Sequence, residues 1–428
     1  MYDLVVVGGG TAGCAAAYIA GKLGKKVLLI EKNIHLGGTI TSGLVVPVMH
    51  SGDNQINTEF YNDLISELQN IGGQITYQNN SGWFNPELLK IALDSMLEKV
   101  NVEVRFNSSV YKIEHTNSHI QTLWTNTNIL SEYNEQIGMI NKTLFEPIAT
   151  RYVLDSTGNS EIFKKLNCNF LENKNNFQPL SLRFIMSGIN YDEFTSLLEA
   201  FDIDRDVTTV ENIDGYRYCS TAYTWDKGRK WALEPLFSDA LDKKILKDTD
   251  CNYFQIFSVA GTPDSIAFNC PRLVGDYDQN SVKDVSKALT EARKAIFRLA
   301  NFCKIYFPGF ENAYISNIAD SLGVRVSDRI KGKYIYTEED LKTGKTFDNP
   351  VLISNYPIDI HSKDKDCSTL HKTGEYQLPI ESLMSADFDN LFAAGRNISA
   401  DFNAQAALRV QSSCFSMGEA VARYVAEH

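Results

Sequence analysis

The chain has 428 residues, 43% of them hydrophobic and 22% charged, which is enough for two cores at an ordinary globular composition. Its 41 Lys and Arg stand against 53 Asp and Glu, a net charge of −12, so nucleic acid and anionic membrane surfaces are excluded as expected partners. The sequence shows no secretory signal and no stretch apolar enough to span a bilayer, so a cytoplasmic location is expected.

The apolar run Leu4–Val7 ends at glycines and predicts a buried parallel strand. An Ala-rich helix is predicted over 12–23, and a second buried strand at Val27–Ile30. Pro86 to Lys99 has helical periodicity and precedes a strand at Val102–Phe106. From about 107 to 150 the sequence is polar, and short β segments with a loop near Ser131–Asn141 are expected. Tyr152–Leu154 is a further strand, ending at Asp155. In the middle third, Leu182, Phe184 and Met186 predict a half-exposed strand, and Val282–Tyr306 predicts a strong helix. The aromatic residues of 216–231 read as the core of a cap rather than a cavity wall. Asn390–Gly395 is a strand meeting a glycine, followed by one long helix over 403–426. The expected fold is α/β, with a Rossmann-type dinucleotide-binding domain (1–165 and 376–428) and an inserted α+β substrate or cap domain (166–375). The eight cysteines (Cys14, Cys168, Cys219, Cys251, Cys270, Cys303, Cys367, Cys414) form no Cys-x-x-Cys pair, so free thiols and no metal site are expected.

Gly8-Gly9-Gly10-Thr11-Ala12-Gly13 fits G-x-G-x-x-G between a strand and a helix. Gly8 permits the turn, Gly10 admits a pyrophosphate close to the backbone, and Gly13 lets helix and strand pack closely. The helix N-terminus supplies N–H groups and positive dipole charge. Glu31 closes the second strand, where a carboxylate accepts hydrogen bonds from the adenosine ribose hydroxyls and repels a 2′-phosphate. The small-residue loop at Gly37-Gly38-Thr39, the strand end at Thr157-Gly158 and the strand–glycine–helix unit at Gly395 tilt the cofactor towards FAD rather than NAD.

Together with Asp155-Ser-Thr-Gly158 and Ala394-Gly395-Arg396-Asn397-Ile398-Ser399, these segments resemble the FAD-dependent oxidoreductases of the glutathione-reductase-like superfamily. Pro308–Glu311, Leu322–Arg329 with Gly332, Tyr356–His361 and Ala407–Val410 are similar to a bacterial group near the fumarate reductase and heterodisulfide reductase flavoproteins. The chain departs from that group at Val326 and Asp328, where a glutamate and a second arginine are common. The resemblance implies FAD held by Gly8, Gly10, Thr11, Ala12, Gly13, Glu31, Lys32, Gly37, Gly38, Thr39, Val110, Thr157, Gly158, Gly395, Arg396, Asp401, Asn403 and Ala406. Val110 would lie by the adenine, and Asp401 or Asn403 by the ribityl chain.

A flavin carries the electrons, so the protein must supply position and protons. His361 shares a strand face with Asp359 and is either an acid/base group oriented by that carboxylate or a surface histidine. Arg325 and Arg329 share a face if helical, and either grip a carboxylate or form interdomain salt bridges. Among fumarate reductases an arginine donates the proton, so the resemblance extends a catalytic role to this pair. Arg272 is a weaker substrate clamp. Arg409 faces either the cofactor or interdomain carboxylates. His50 lies either beneath the flavin or on the surface, and Cys14 and Cys414 read as packing residues. The expected activity is FAD-dependent oxidoreduction of a small organic molecule by hydride transfer at flavin N5, in a monomer or homodimer. The alternative is an electron-transfer subunit serving a protein partner.

Overall fold

A strand with no polar face must be covered on both sides, and Leu4, Val5, Val6 and Val7 are all buried at the centre of a parallel sheet in the computed structural model of the protein. The structure describes residues 1–134, 138–172, 178–201, 207–225, 231–275, 277–361, 368–371 and 373–428, with backbone alone at 128–134, 138–142, 224, 361 and 368–371. The first strand, Tyr2–Val7, lies between Val27–Ile30 (Val5 opposite Leu28) and the end of Gly138–Asp155 (Val5 opposite Val153), both parallel to it. Leu391–Ala393 adds beyond that end, with Phe392 opposite Leu154, and Glu103–Arg105 adds at the other edge. The carboxyl ends of these strands therefore form one row at Gly8, Glu31, Asp155 and Ala394, where an open α/β sheet takes its ligand.

The first helix, Thr11–Lys22, and the last, Gln411–Glu427, press together where both carry small residues. A Cβ on Gly418 would lie 2.0 Å from the Ala12 carbonyl oxygen and 3.1 Å from Ala15 Cβ. Helix backbones cannot yield by that amount without separating. Gly418→Ala is therefore expected to cost about 3 kcal/mol in chemical denaturation, at the upper end of over-packing penalties. An unchanged midpoint would contradict this packing.

Among the described residues, a second, antiparallel sheet of six strands runs in the order Thr208–Ile213, Tyr216–Thr224, Tyr253–Val259, Thr262–Phe268, Phe184–Ser187, Tyr314–Ile318. The helix Val282–Tyr306 buries Ala288, Ala292, Ile296, Leu299 and Cys303, and Phe302 packs on Phe237 at its end. Trp231 is buried among Tyr223, Phe237 and Phe254, an aromatic core inside this unit. The fold is thus α/β, a Rossmann-type sheet with an α+β unit inserted between two of its parallel strands.

Four expectations are corrected. The polar stretch after 107 forms long strands, Ser108–Thr116, His119–Asn134 and Gly138–Asp155, the last two paired from Thr122–Ala149 to Asn134–Gly138. Its Thr-rich run satisfies its backbone as a ribbon, and the expected loop near 131–141 narrows to a hairpin whose residues 135–137 lie outside the described ones. Phe184–Ser187 is buried throughout rather than half-exposed: it is an inner strand of this sheet, and Phe184, Ile185 and Met186, which point to both faces, all pack into the main hydrophobic core. The single long C-terminal helix is two, Phe402–Leu408 and Gln411–Glu427, since Val410 takes an extended backbone (ψ 153°). The segment carrying Arg325 and Arg329 is irregular rather than helical, so the two side chains do not share a face. Among the described residues, no helix is long and apolar enough to cross a membrane. Cys367 lies outside the described residues, and the other seven cysteines are free and buried.

Candidate active site

One cavity of about 1040 Å³ runs from the row of parallel-strand ends to the antiparallel sheet. At its first end stand Gly8, Gly10, Thr11 and Ala12. No side chain caps this helix and its first turn holds no acid, so its positive end is left to the cavity. The glycines differ in what they accommodate. A Cβ on Gly13 would sit 2.0 Å from the Gly8 carbonyl oxygen, so Gly13 serves the close approach of helix to strand. A Cβ on Gly10 would meet no protein atom nearer than 3.9 Å, so the space Gly10 leaves open belongs to the cavity. This is the cradle a diphosphate requires.

Glu31 is buried and lines the same end. Its Oε2 accepts from the Gly9 N–H at 2.7 Å, and its Oε1 accepts from Asn33 N–H and Nδ2, both at 2.8 Å. Oε1 is thus filled, and Oε2 keeps one lone pair for a ribose hydroxyl. The carboxylate thus ties the glycine loop to the second strand.

Asp155 ends its strand beneath this loop, fully buried. It accepts from Thr157 N–H (3.1 Å), Thr157 Oγ1 (2.7 Å) and Ile162 N–H (2.9 Å). Burial outweighs these bonds and pushes its pKa from 3.8 up to about 6. The folded protein then binds a proton that the unfolded chain has released between those values. This contribution is complete below about pH 4 and is lost as pH rises through about 6, a change of roughly 3 kcal/mol. Asp155→Asn is expected to flatten the stability profile across that window, as read by denaturation at several pH values. An identical slope would remove Asp155 as its source.

Arg396 binds the strand ends together, donating from Nε to the Gly158 carbonyl (2.8 Å), from Nη1 to that of Val324 (3.0 Å) and from Nη2 to Asn159 Oδ1 (2.8 Å). Gly395 (φ 109°) lines the cavity beside it, in a left-handed conformation that glycine adopts freely. The last helix also meets the cavity at its start, through Val410, Gln411 and Cys414, again with no side-chain cap and no acid in its first turn.

The far end is built from the antiparallel sheet and two crossing segments. Arg183 precedes Phe184–Ser187, Tyr253 and Gln255 lie on one strand, and Asn269 and Arg272 follow another. Arg325, Asp359 and Arg409 complete it. The Arg272 guanidinium carbon lies 3.4 Å from the centre of the Tyr253 ring. Arg409 Nη2 pairs with Asp359 Oδ2 at 3.1 Å, each side chain 14% exposed.

A family model described as FAD dependent oxidoreductase matches residues 3–427. The chain belongs to this family. It is an FAD-dependent enzyme, and the cavity's glycine loop fits the diphosphate of that cofactor. A curated relative, the "Putative bifunctional amine oxidase" of Dictyostelium discoideum, is 46% identical over 50 residues, spanning 12% of this chain and 5% of that protein. Similar solved structures include a geranylgeranyl bacteriochlorophyll reductase-like protein from Thermoplasma acidophilum (12% identity, 100% of this chain, 78% of that one, TM-score 0.46). A flavin-dependent brominase (11%, 100% and 79%, TM-score 0.48) and the p-nitrophenol 4-monooxygenase of Pseudomonas putida (13%, 99% and 78%, TM-score 0.43) are also similar.

Within this FAD dependent oxidoreductase, the cavity wall includes Gly8, Gly10, Thr11, Ala12, Glu31, Lys32, Gly38, Thr39, Val110, Thr157, Gly158, Gly395 and Arg396. Gly13 and Gly37 stand behind the wall, Gly37 bridging to Gly10. Asp401, Asn403 and Ala406 do not reach it. Asp401 caps the short helix Phe402–Leu408 through Ala404 N–H (2.8 Å) and accepts from Glu338 N–H (2.6 Å), Asn403 donates to Glu338 Oε2 (2.7 Å), and Ala406 is core. The helix whose N-terminus meets the cavity begins at Gln411, and these three residues belong to the short helix before it or cap it.

Of the expected catalytic residues, Arg325 lines the cavity and Arg329 does not. Arg329 is buried and donates to the carbonyls of Ala400 (2.9 Å) and Glu172 (3.2 Å), which makes it a structural tie. The backbone of His361 closes the strand Ile358–His361, and its side chain lies outside the described residues. Asp359 is engaged by Arg409. His50 lines the mouth, exposed, 3.5 Å from Asp53. The Cys14 thiol donates to the Gly9 carbonyl, and burial pushes its pKa up to about 12. Cys414 is a wall residue, raised likewise to about 12, so neither thiol is a thiolate at neutral pH. Arg183, Tyr253, Gln255 and Asn269 escaped sequence reasoning, because no periodicity or motif marks them.

Proposed function

We propose that the chain oxidises or reduces a small organic molecule by hydride transfer to or from flavin N5, with residues 1–165 and 376–428 holding the cofactor and 166–375 the substrate. The observation that supports this reading is the continuity of one cavity from the diphosphate cradle to a polar chamber on the inserted sheet. Bound FAD supplies a two-electron donor and acceptor at that junction. The chain's part is to seat the substrate, keep water out and carry a proton. Tyr356, Phe257 and Leu289 give the chamber an apolar wall. Arg325, fixed by the Pro179 carbonyl at 2.7 Å, orients the substrate. His361, two positions along from Asp359, carries the proton.

The test is an anaerobic screen of metabolites for bleaching or reoxidation of the protein-bound flavin. His361→Ala and Arg325→Ala are expected to slow the active half-reaction at least tenfold while keeping flavin content. Wild-type rates in both would overturn these roles, and a purified protein that refuses flavin would overturn the whole reading.

A further inference from the structure

The helix Val282–Tyr306 turns one stripe to the core of the inserted unit and its opposite face outward. At 3.6 residues per turn, Lys283, Lys287, Arg293, Lys294 and Lys304 fall within one outward arc of about 140°, and all are exposed. Val282, Phe297 and Ile305 stand on the same arc, exposed by 84%, 62% and 62%. The two acids of this helix, Asp284 and Glu291, lie outside the arc, where Glu291 pairs with Lys294 at 2.9 Å. Lys283, Arg293 and Lys304 make no ion pair among the described residues. A single exposed apolar side chain is ordinary on a protein surface. Three of them on one helix face, set among five cations and no acid, bring folding no gain. Lys283 and Lys287, four residues apart, repel each other, and the apolar groups stay in water.

The net charge of −12 does not decide what this face meets, because at ordinary ionic strength a surface charge is felt over only about 10 Å. The local face decides, and it is complementary to negative charge. A two-fold contact between copies of the chain would set the five cations against themselves. Four of the five are lysines, which interfaces between proteins disfavour while they favour arginine. A straight helix of 25 residues, about 37 Å long, meets a plane along its whole length. At a bilayer of anionic lipid the lysine heads stay with the phosphates, while Val282, Phe297 and Ile305 enter the boundary between headgroups and acyl chains. On the neighbouring stripe of the same helix, Val285 and Leu289 line the cavity. Docking would set that wall of the chamber one helix diameter, about 10 Å, from the headgroups.

We propose that the outward face of Val282–Tyr306 docks the protein on an anionic lipid bilayer. The flavin-loaded full chain is sedimented with vesicles of phosphatidylcholine alone and of phosphatidylcholine mixed with phosphatidylserine, at low and at high salt. Binding to the mixed vesicles is expected to be at least tenfold tighter than to the neutral ones, and at least tenfold weaker at high salt. Each cation near such a surface strengthens binding about fivefold. The triple variant Lys283→Gln, Arg293→Gln, Lys304→Gln is therefore expected to lose at least fiftyfold, with flavin content and melting midpoint unchanged. Phe297→Ser is expected to lose at least fivefold. The double variant Lys331→Gln, Lys333→Gln, exposed cations outside this helix, is expected to bind as the wild type does. Should the triple variant fold poorly, Phe297→Ser and the lipid and salt ranking of the wild type decide. Failure to sediment with the mixed vesicles would overturn the proposal, as would equal losses in the triple and double variants. Tighter binding of poly-glutamate than of the mixed vesicles would also overturn it and assign the face to an acidic protein. A dimer in light scattering that the triple variant abolishes would assign it instead to a second copy.

Discussion

Replacing Gly10 with alanine is expected to give a folded protein that no longer retains FAD. The added methyl group meets no protein atom closer than 3.9 Å, and the Gly10 backbone (φ −77°) suits any residue, so the flavin-free fold should keep its denaturation midpoint. What the methyl group enters is the space reserved for the diphosphate, where main-chain N–H groups must approach phosphate oxygens at hydrogen-bond distance. A loss of at least a hundredfold in FAD affinity follows, read by flavin fluorescence on titration. Gly13→Ala gives the opposite pairing. Its Cβ would fall 2.0 Å from the Gly8 carbonyl oxygen, so stability drops before any ligand is added. If Gly10→Ala bound FAD normally, the diphosphate would not lie at this helix.

Asp359→Asn is expected to destabilise the flavin-free protein by about 3 kcal/mol. Removing one partner of a buried ion pair leaves the other charge uncompensated, at a cost of about 3–5 kcal/mol, and the lower figure suits side chains that are each 14% exposed. The loss extends beyond Arg409, because Arg272 and Arg325 also feel the Asp359 carboxylate. Chemical denaturation at neutral pH and low salt gives the number. A variant as stable as the wild type would show that Asp359 is not what balances these arginines.

The nucleotide half was legible because its signal is local. Gly8 to Gly13 and Glu31 fall within one βαβ unit, where spacing along the chain equals spacing in the fold. The helices Pro86–Lys99 and Val282–Tyr306 were legible for the same reason. The chamber was legible only in part: Arg272, Arg325, Asp359 and Arg409 could be singled out one at a time, Arg183 and Tyr253 could not, and nothing in the sequence put them together. Arg183, Tyr253, Arg272, Arg325, Asp359 and Arg409 come from six separate segments, and only the tertiary fold brings them to one wall. The break at Arg409-Val410 left no trace either, because the apolar period continues across it and neither Gly nor Pro marks it. The resemblance pointed to Asp401, Asn403 and Ala406, whereas the residues that line the cavity after the break are Val410, Gln411 and Cys414. Buried Phe184–Ser187 was misjudged because both of its faces are covered by core residues distant in sequence, which its own alternating pattern does not show.

The cofactor cradle is assembled from the chain's two extremes, Gly8–Ala12 on one side and Gly395–Cys414 on the other. At a translation rate of about 5–20 residues per second, roughly 20–80 s separate the synthesis of these two walls on the ribosome. Until the second emerges, the apolar faces of the first strand and helix have no lasting cover, and they are candidates for chaperone binding throughout that interval. Flavin loading therefore waits for the docking of the helix Gln411–Glu427.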